Sequence, residues 1–175
     1  MKLGTLNFEP IQANPDLLSQ PVKDGVASHR LKDILVAEID PALSDTAAFC
    51  EKYEIGLGVS VNCVMVEAKR ADRTWYAACL IQADRRIDIN GVIRRELGAK
   101  KVSFAPMDNA VSLSAMAPGA ISPIGLPDDW PILVDSNVLS IDQAVIGSGI
   151  RKSKLFIPTS SFSLLPNAKV LAITK

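Results

Sequence analysis

Val61-Asn62-Cys63-Val64-Met65-Val66-Glu67-Ala68 and Trp75-Tyr76-Ala77-Ala78-Cys79-Leu80-Ile81-Gln82 are two runs of apolar, β-branched and aromatic residues. The polar stretch Lys69-Arg70-Ala71-Asp72-Arg73 separates them. Branched and aromatic side chains pack well on a pleated surface, so each run reads as a strand. A short polar break between two such runs predicts an antiparallel hairpin, here with a loop of several residues. No other pairing in the chain is so strongly marked, and the remaining elements are placed around it.

Upstream, Ile34-Leu35-Val36-Ala37-Glu38-Ile39 is a short apolar run closed by Asp40-Pro41, a further strand. Ser44 or Asp45 then caps a helix over roughly 46–54, which Gly56 and Gly58 end. Downstream, Asp88 caps a helix running to about Leu97, with Gly98 as its stop. Lys101 to Ala105 is a strand, and Asp108 caps a helix over about 109–116. Pro131 to Asp135, Gln143 to Ile146, Lys154 to Ile157 and Ala168 to Ile173 complete the strands, with a short helix begun at Pro158-Thr159-Ser160. Strands outnumber helices and several pair through short turns. The expected class is therefore α+β, a mixed, largely antiparallel sheet or barrel flanked by helices. Residues 1–30, rich in Pro, Gln, Asn and Ser, read as an N-terminal extension with one short helix opened by Asn14-Pro15-Asp16, and residues 31–175 as the domain proper.

A length of 175 residues suits one domain with its own core, and 48% apolar residues argue for a folded chain. No apolar run approaches the roughly 18 residues that would span a bilayer, and the first ten residues do not read as a signal peptide. Cys50, Cys63 and Cys79 are widely spaced in apolar surroundings and read as buried free thiols, so the expected compartment is the cytoplasm. Net charge is zero, a weak footprint for nucleic acid, but the charges are segregated. Residues 61–104 carry nine basic residues against five acids, and residues 147–175 carry five basic residues and no acid. If these blocks meet, Arg85 and Arg86 from the first and Arg151 and Lys152 from the second are the residues placed to hold RNA backbone. The alternative is that both blocks are ordinary solvated faces.

The stretch most suited to chemistry is Pro118-Gly119-Ala120-Ile121-Ser122-Pro123-Ile124-Gly125-Leu126. Two prolines and two glycines impose an irregular backbone, and small side chains at Gly119, Ala120 and Ser122 leave main-chain donors open to a carbonyl or phosphate oxygen. A structural turn between strands is the competing reading. No phosphate-binding glycine loop, metal-binding His pair or Gly-x-Ser-x-Gly nucleophile turn occurs, and His29 stands alone. A metal is not expected, nor a cofactor.

Three segments in order resemble the YbaK-type aminoacyl-tRNA editing domains, the freestanding Cys-tRNA(Pro) and Ala-tRNA(Pro) deacylases and the related insertion of bacterial prolyl-tRNA synthetase. They are Ala83-Asp84-Arg85-Arg86-Ile87-Asp88 with Leu97-Gly98-Ala99-Lys100-Lys101-Val102, the Pro118–Leu126 loop, and Leu133-Val134-Asp135 followed by Ser148-Gly149 and a basic turn. The resemblance implies hydrolysis of the ester joining a wrong, small amino acid to the tRNA terminus, with aminoacyl-tRNA as partner, a synthetase as a second possible partner, and no membrane. It implies that Gly119, Ser122 and Pro123 serve catalysis, with Ala120, Ile121, Asp135, Ser148 and Gly149 contacting substrate. Water attacks, assisted by the ribose hydroxyls, so no nucleophilic side chain is required. Two positions depart from the pattern. Asn62 stands where the family places a catalytic lysine, and Asp40 where a histidine is frequent. Asn62 donates hydrogen bonds without a charge, so a binding module of the same fold that no longer hydrolyses is the alternative reading.

Overall fold

The computed structural model describes residues 1–175. In chain order its elements are β1 (Lys2–Leu3), β2 (Leu6–Asn7), β3 (Glu9–Pro10), α1 (Gln20–Ser28), β4 (Leu35–Glu38), α2 (Thr46–Tyr53), β5 (Val61–Arg70), β6 (Arg73–Gln82), α3 (Arg94–Glu96), β7 (Lys101–Phe104), α4 (Met107–Ser114), β8 (Ile132–Asp135), β9 (Gln143–Gly147), β10 (Ser153–Pro158) and β11 (Ala168–Leu171).

The β5–β6 hairpin is the longest pairing, unbroken from Val61↔Gln82 to Arg70↔Arg73. Its turn is only Ala71-Asp72, tighter than the expected loop, and Ala71 takes a left-handed φ of 51°. Lys69, Arg70 and Arg73 still pair; their polarity reflects strand ends in water and not an absence of strand. Around this hairpin lies a five-stranded sheet of order β11-β8-β6-β5-β7, in which β8 runs parallel to β6 and β11 parallel to β8. A second, wholly antiparallel sheet has the order β3-β4-β10-β9. A parallel bridge, Ser60↔Val145, joins the two. The architecture is the expected mixed, largely antiparallel α+β arrangement.

One consequence of the topology positions the site. β7 pairs with β5 only from Val66 to Lys69. Asn62, Cys63 and Val64 therefore keep one strand edge free, between the end of β7 and the bridge to β9. A cavity opens at that gap.

The main core gathers Val22, Leu80, Val134, Ile146, Ile157 and Phe162, all fully or almost fully buried. Each such side chain contributes about 1.5–3 kcal/mol by leaving water. A second cluster holds Phe8, Phe49 and Phe156, with the rings of Phe8 and Phe156 centred 5.5 Å apart. Residues 1–30 thus supply Leu18 and Val22 to the main core and Leu6 and Phe8 to the second cluster. α1 also abuts the far end of the glycine–proline loop. A Cβ on Gly25 would lie 2.7 Å from the Gly125 nitrogen, so this helix lies directly against loop backbone.

Three helical stretches differ from expectation. Asn14-Pro15-Asp16 opens only a 3₁₀ turn over Pro15–Leu17, and the helix of the N-terminal segment, α1, begins at Gln20. The segment after Asp88 is a wide π-type turn over Ile89–Ile93 before the short α3. Asp88 does cap it, accepting from Gly91 N at 3.1 Å and Val92 N at 3.3 Å. The chain can draw in on that carboxylate because Gly91 has no Cβ to collide with it. α4 begins at Met107, so Asp108 lies in its first turn and Pro106 precedes it. No helix of the chain is long and apolar enough to cross a membrane.

Candidate active site

The cavity at the β5 edge has a volume of about 400 Å³. Four pieces of chain wall it: Asn62 to Met65 of β5, the start of α2 with Asp45, Thr46 and Phe49, the loop residues Gly119 and Ile121, and Val145 to Gly147 of β9 with Lys154 of β10. Phe104 and Met107 stand at its mouth, 62% and 56% exposed. Twelve of its nineteen lining residues are hydrophobic, so its few polar groups decide what chemistry it can host.

Those groups are mostly donors. Thr46 Oγ1 donates to Asn62 Oδ1 at 2.7 Å, which leaves the Asn62 amide nitrogen as the free end of that side chain. The main-chain N–H groups of Gly119 and Ile121 have no acceptor within the protein. Lys154 adds an ammonium whose Nζ donates to the Ser44 carbonyl at 2.7 Å. Ser44 is itself fully buried, and its hydroxyl donates to the Gly119 carbonyl at 3.0 Å. A single residue therefore ties the lysine to the loop. Asp45, the one carboxylate at the cavity, is 71% exposed and faces Arg151 at 3.6 Å. Burial pushes the Cys63 thiol up to about 12, so this cysteine is a neutral wall residue and not a thiolate nucleophile.

The loop is held by close backbone approach. Gly119 has φ +74°, and a Cβ there would lie 2.5 Å from Asp45 Oδ1 and 2.6 Å from Arg151 Nη1. A Cβ on Gly147 would meet the carbonyl oxygens of Ala120 at 2.5 Å and Ile121 at 2.7 Å, so the loop lies flat on β9 only because residue 147 is glycine.

The other sequence-derived positions divide by location. Ala120 is buried in a turn, its N–H donating to Ala117 and its carbonyl accepting from Gly149. Ser122 and Pro123 are buried and do not line the cavity; Ser122 N donates to Met116 Sδ, and its hydroxyl accepts from Ile124 N. The donors expected from Ala120 and Ser122 are thus spent inside the loop, and those of Gly119 and Ile121 are the open ones. Ser148 is buried with its hydroxyl on Ser153 at 2.7 Å, and Gly149, at φ +85°, supports the loop from behind. Asp135 lies outside the cavity, fully buried at the end of β8. Arg151 reaches the rim, donating to the carbonyls of Pro41 at 3.1 Å and Pro118 at 2.8 Å. Lys152 is exposed beside it. Arg85 and Arg86 are exposed just past Gln82, at the hairpin end that carries Val61.

A family model described as the aminoacyl-tRNA editing domain matches residues 40–163. The chain belongs to this family. The fold agrees. A crystal structure provisionally described as a trans-editing enzyme for prolyl tRNA synthetase superposes with a TM-score of 0.75 at 16% identity, covering 90% of this chain and 99% of that one. The hypothetical protein APE2540 superposes with a TM-score of 0.76 at 20% identity, covering 89% of this chain and 100% of that one. No curated protein matches the sequence.

In this editing domain the cavity cation is Lys154, which the sequence placed at the start of a strand and within a basic block but not in the site. The position where the resemblance implied a lysine carries Asn62, and the ammonium in the cavity is that of Lys154 on β10. A signal was present: β10 is buried from Ser153 to Ile157, so a lysine within it points inward on either face. Ser44, Thr46 and Gly147 were equally silent, since their importance lies in contacts between distant segments.

Proposed function

We propose that this editing domain is a trans-acting aminoacyl-tRNA deacylase that hydrolyses the ester of a small, misattached amino acid, with tRNA(Pro)-like substrates, in the cytoplasm. The observation that carries this reading is the convergence of Gly119 and Ile121, with unsatisfied main-chain donors, and the Asn62 amide on one largely apolar cavity of about 400 Å³. In the proposed reaction the carbonyl oxygen takes the loop donors, where charge develops as water adds to the carbonyl carbon. The bond to the ribose oxygen then breaks, that oxygen keeps the proton released by the water, and the free amino acid departs. Terminal ribose hydroxyls assist the proton transfer, and no side-chain nucleophile takes part. Choice among small amino acids then rests on pocket shape, which discriminates by about 1–3 kcal/mol per methylene.

The exposed Phe104 and Met107 supply an apolar surface at the mouth against which the terminal base stacks. Stacking of this kind is worth about 1–3 kcal/mol per base. Phe104→Ala should therefore raise KM for mischarged tRNA by roughly tenfold with kcat little changed, measured by steady-state deacylation.

Asn62 supports a second reading, a module that keeps the pocket without hydrolysis. The two separate on Asn62 variants. If the native protein is an enzyme, Asn62→Ala lowers deacylation of a mischarged tRNA by roughly tenfold or more, the loss of one or two hydrogen bonds. If native protein is silent while Asn62→Lys hydrolyses, the binding module is correct.

A further inference from the structure

We propose that the ammonium of Lys154 is the cavity's anion-binding group and contacts a negatively charged oxygen of the bound substrate. This deepens the deacylase reading and rests on it for the identity of the substrate.

The hydrogen-bonding capacity of this ammonium is largely unmet within the protein. Lys154 is 5% exposed and lines the cavity, yet its three N–H donors have one protein acceptor, the Ser44 carbonyl. No carboxylate lies within ion-pair distance of it; Asp45, the acid at the cavity, is taken up with Arg151. Nζ also stands over the Phe49 ring, whose centroid lies 5.3 Å away and which favours a cation without neutralising it. A lysine whose role is packing keeps its stem in the apolar layer and its head in water. Here the head is inside. Leaving a charge buried without a counter-ion costs several kcal/mol, and burial lowers the group's pKa only to about 8, so it remains mostly protonated at neutral pH. Such a cation, facing a largely apolar cavity whose one carboxylate, Asp45, lies beyond ion-pair distance and is engaged by Arg151, is answered when a ligand brings the negative charge.

Two oxygens of an aminoacylated tRNA end fit that chemistry: the 5′-phosphate of the terminal nucleotide and the ester carbonyl oxygen as it gains charge during attack. Both are tested on the native protein by following the Lys154 Nζ resonance in ¹⁵N-lysine-labelled material. One titration uses adenosine 5′-monophosphate. The other uses adenosine carrying a 3′-aminoethylphosphonate monoester, whose charged oxygen sits where the carbonyl oxygen would be. A shift with the monophosphate assigns Lys154 to the phosphate, and Lys154→Met should then raise KM at least tenfold. A shift with the phosphonate alone assigns it to the carbonyl oxygen, and Lys154→Met should then lower kcat by about 10²–10³-fold, the usual loss of one oxyanion donor. A resonance unmoved by either compound overturns the proposal, as does a folded Lys154→Met that deacylates within twofold of native. A Lys154 shift in a protein that hydrolyses no mischarged tRNA leaves the lysine assignment standing and removes the deacylase reading. Hydrolysis without a shift does the reverse.

Discussion

Gly147→Ala is expected to lower deacylation by about 10²-fold while the protein stays folded. The new Cβ would sit 2.5 Å and 2.7 Å from the carbonyl oxygens of Ala120 and Ile121, and backbone atoms cannot swing aside as a side-chain end can. The loop must lift from β9, carrying the Gly119 and Ile121 donors with it. A displacement of about 1 Å in groups that position a reacting carbonyl costs about that factor. The same substitution separates the loop from Lys154, because Lys154 is the cross-strand neighbour of Gly147. Gly119→Ala is a useful contrast: its Cβ would meet only the ends of the Asp45 and Arg151 side chains, which can move, although its φ of +74° remains strained. Single-turnover hydrolysis beside a thermal melt checks the prediction. Gly147→Ala retaining full activity would show that the loop position does not matter.

Asp135→Ala should act on stability and leave the chemistry of the folded fraction unchanged. The carboxylate is fully buried and accepts five hydrogen bonds, two from Asn137 and the others from Ile173 N, Thr174 N and Thr174 Oγ1. It thereby ties the chain beyond β11 to the end of β8. Burial alone would raise its pKa, but the bonds from Ile173, Asn137 and Thr174 outweigh burial and hold the carboxyl below the usual range. Truncation strands several buried donors at about 1–3 kcal/mol each, so a loss of roughly 3 kcal/mol or more is expected. For a chain of this size that is a fall in Tm of about 6–12 °C. The acid dependence follows in sign. With the folded pKa below the unfolded one, the group's contribution is complete above about pH 4 and disappears as pH falls through the folded value. Native protein should lose stability over that acidic range more steeply than Asp135→Ala. If Asp135 contacted substrate instead, kcat/KM of the folded variant would drop with little change in Tm.

Physical range separates what was legible in the sequence from what was not. The hairpin at Val61–Gln82 could be read because strand-forming side chains and a polar turn are local signals, and the local cap at Asp88 was visible for the same reason. The tight Ala71-Asp72 turn and the π-type turn at Ile89–Ile93 depend on how far pairing and packing extend, which local polarity does not encode. The glycine–proline loop stood out by composition, but which of its N–H groups are left unpaired is set by contacts with Ala117, Met116 and β9. Lys154 was hidden among neighbouring basic residues. Its isolation from acids and its bond to Ser44 exist only after residues 110 positions apart have been brought together.

The most direct measurement is release of amino acid from tRNA(Pro) charged with alanine, cysteine or proline, under single-turnover conditions with purified native protein. Faster release from one of the mischarged species than from prolyl-tRNA(Pro), above the uncatalysed rate, is the predicted result. Rates equal to the uncatalysed reaction for all three would contradict the account.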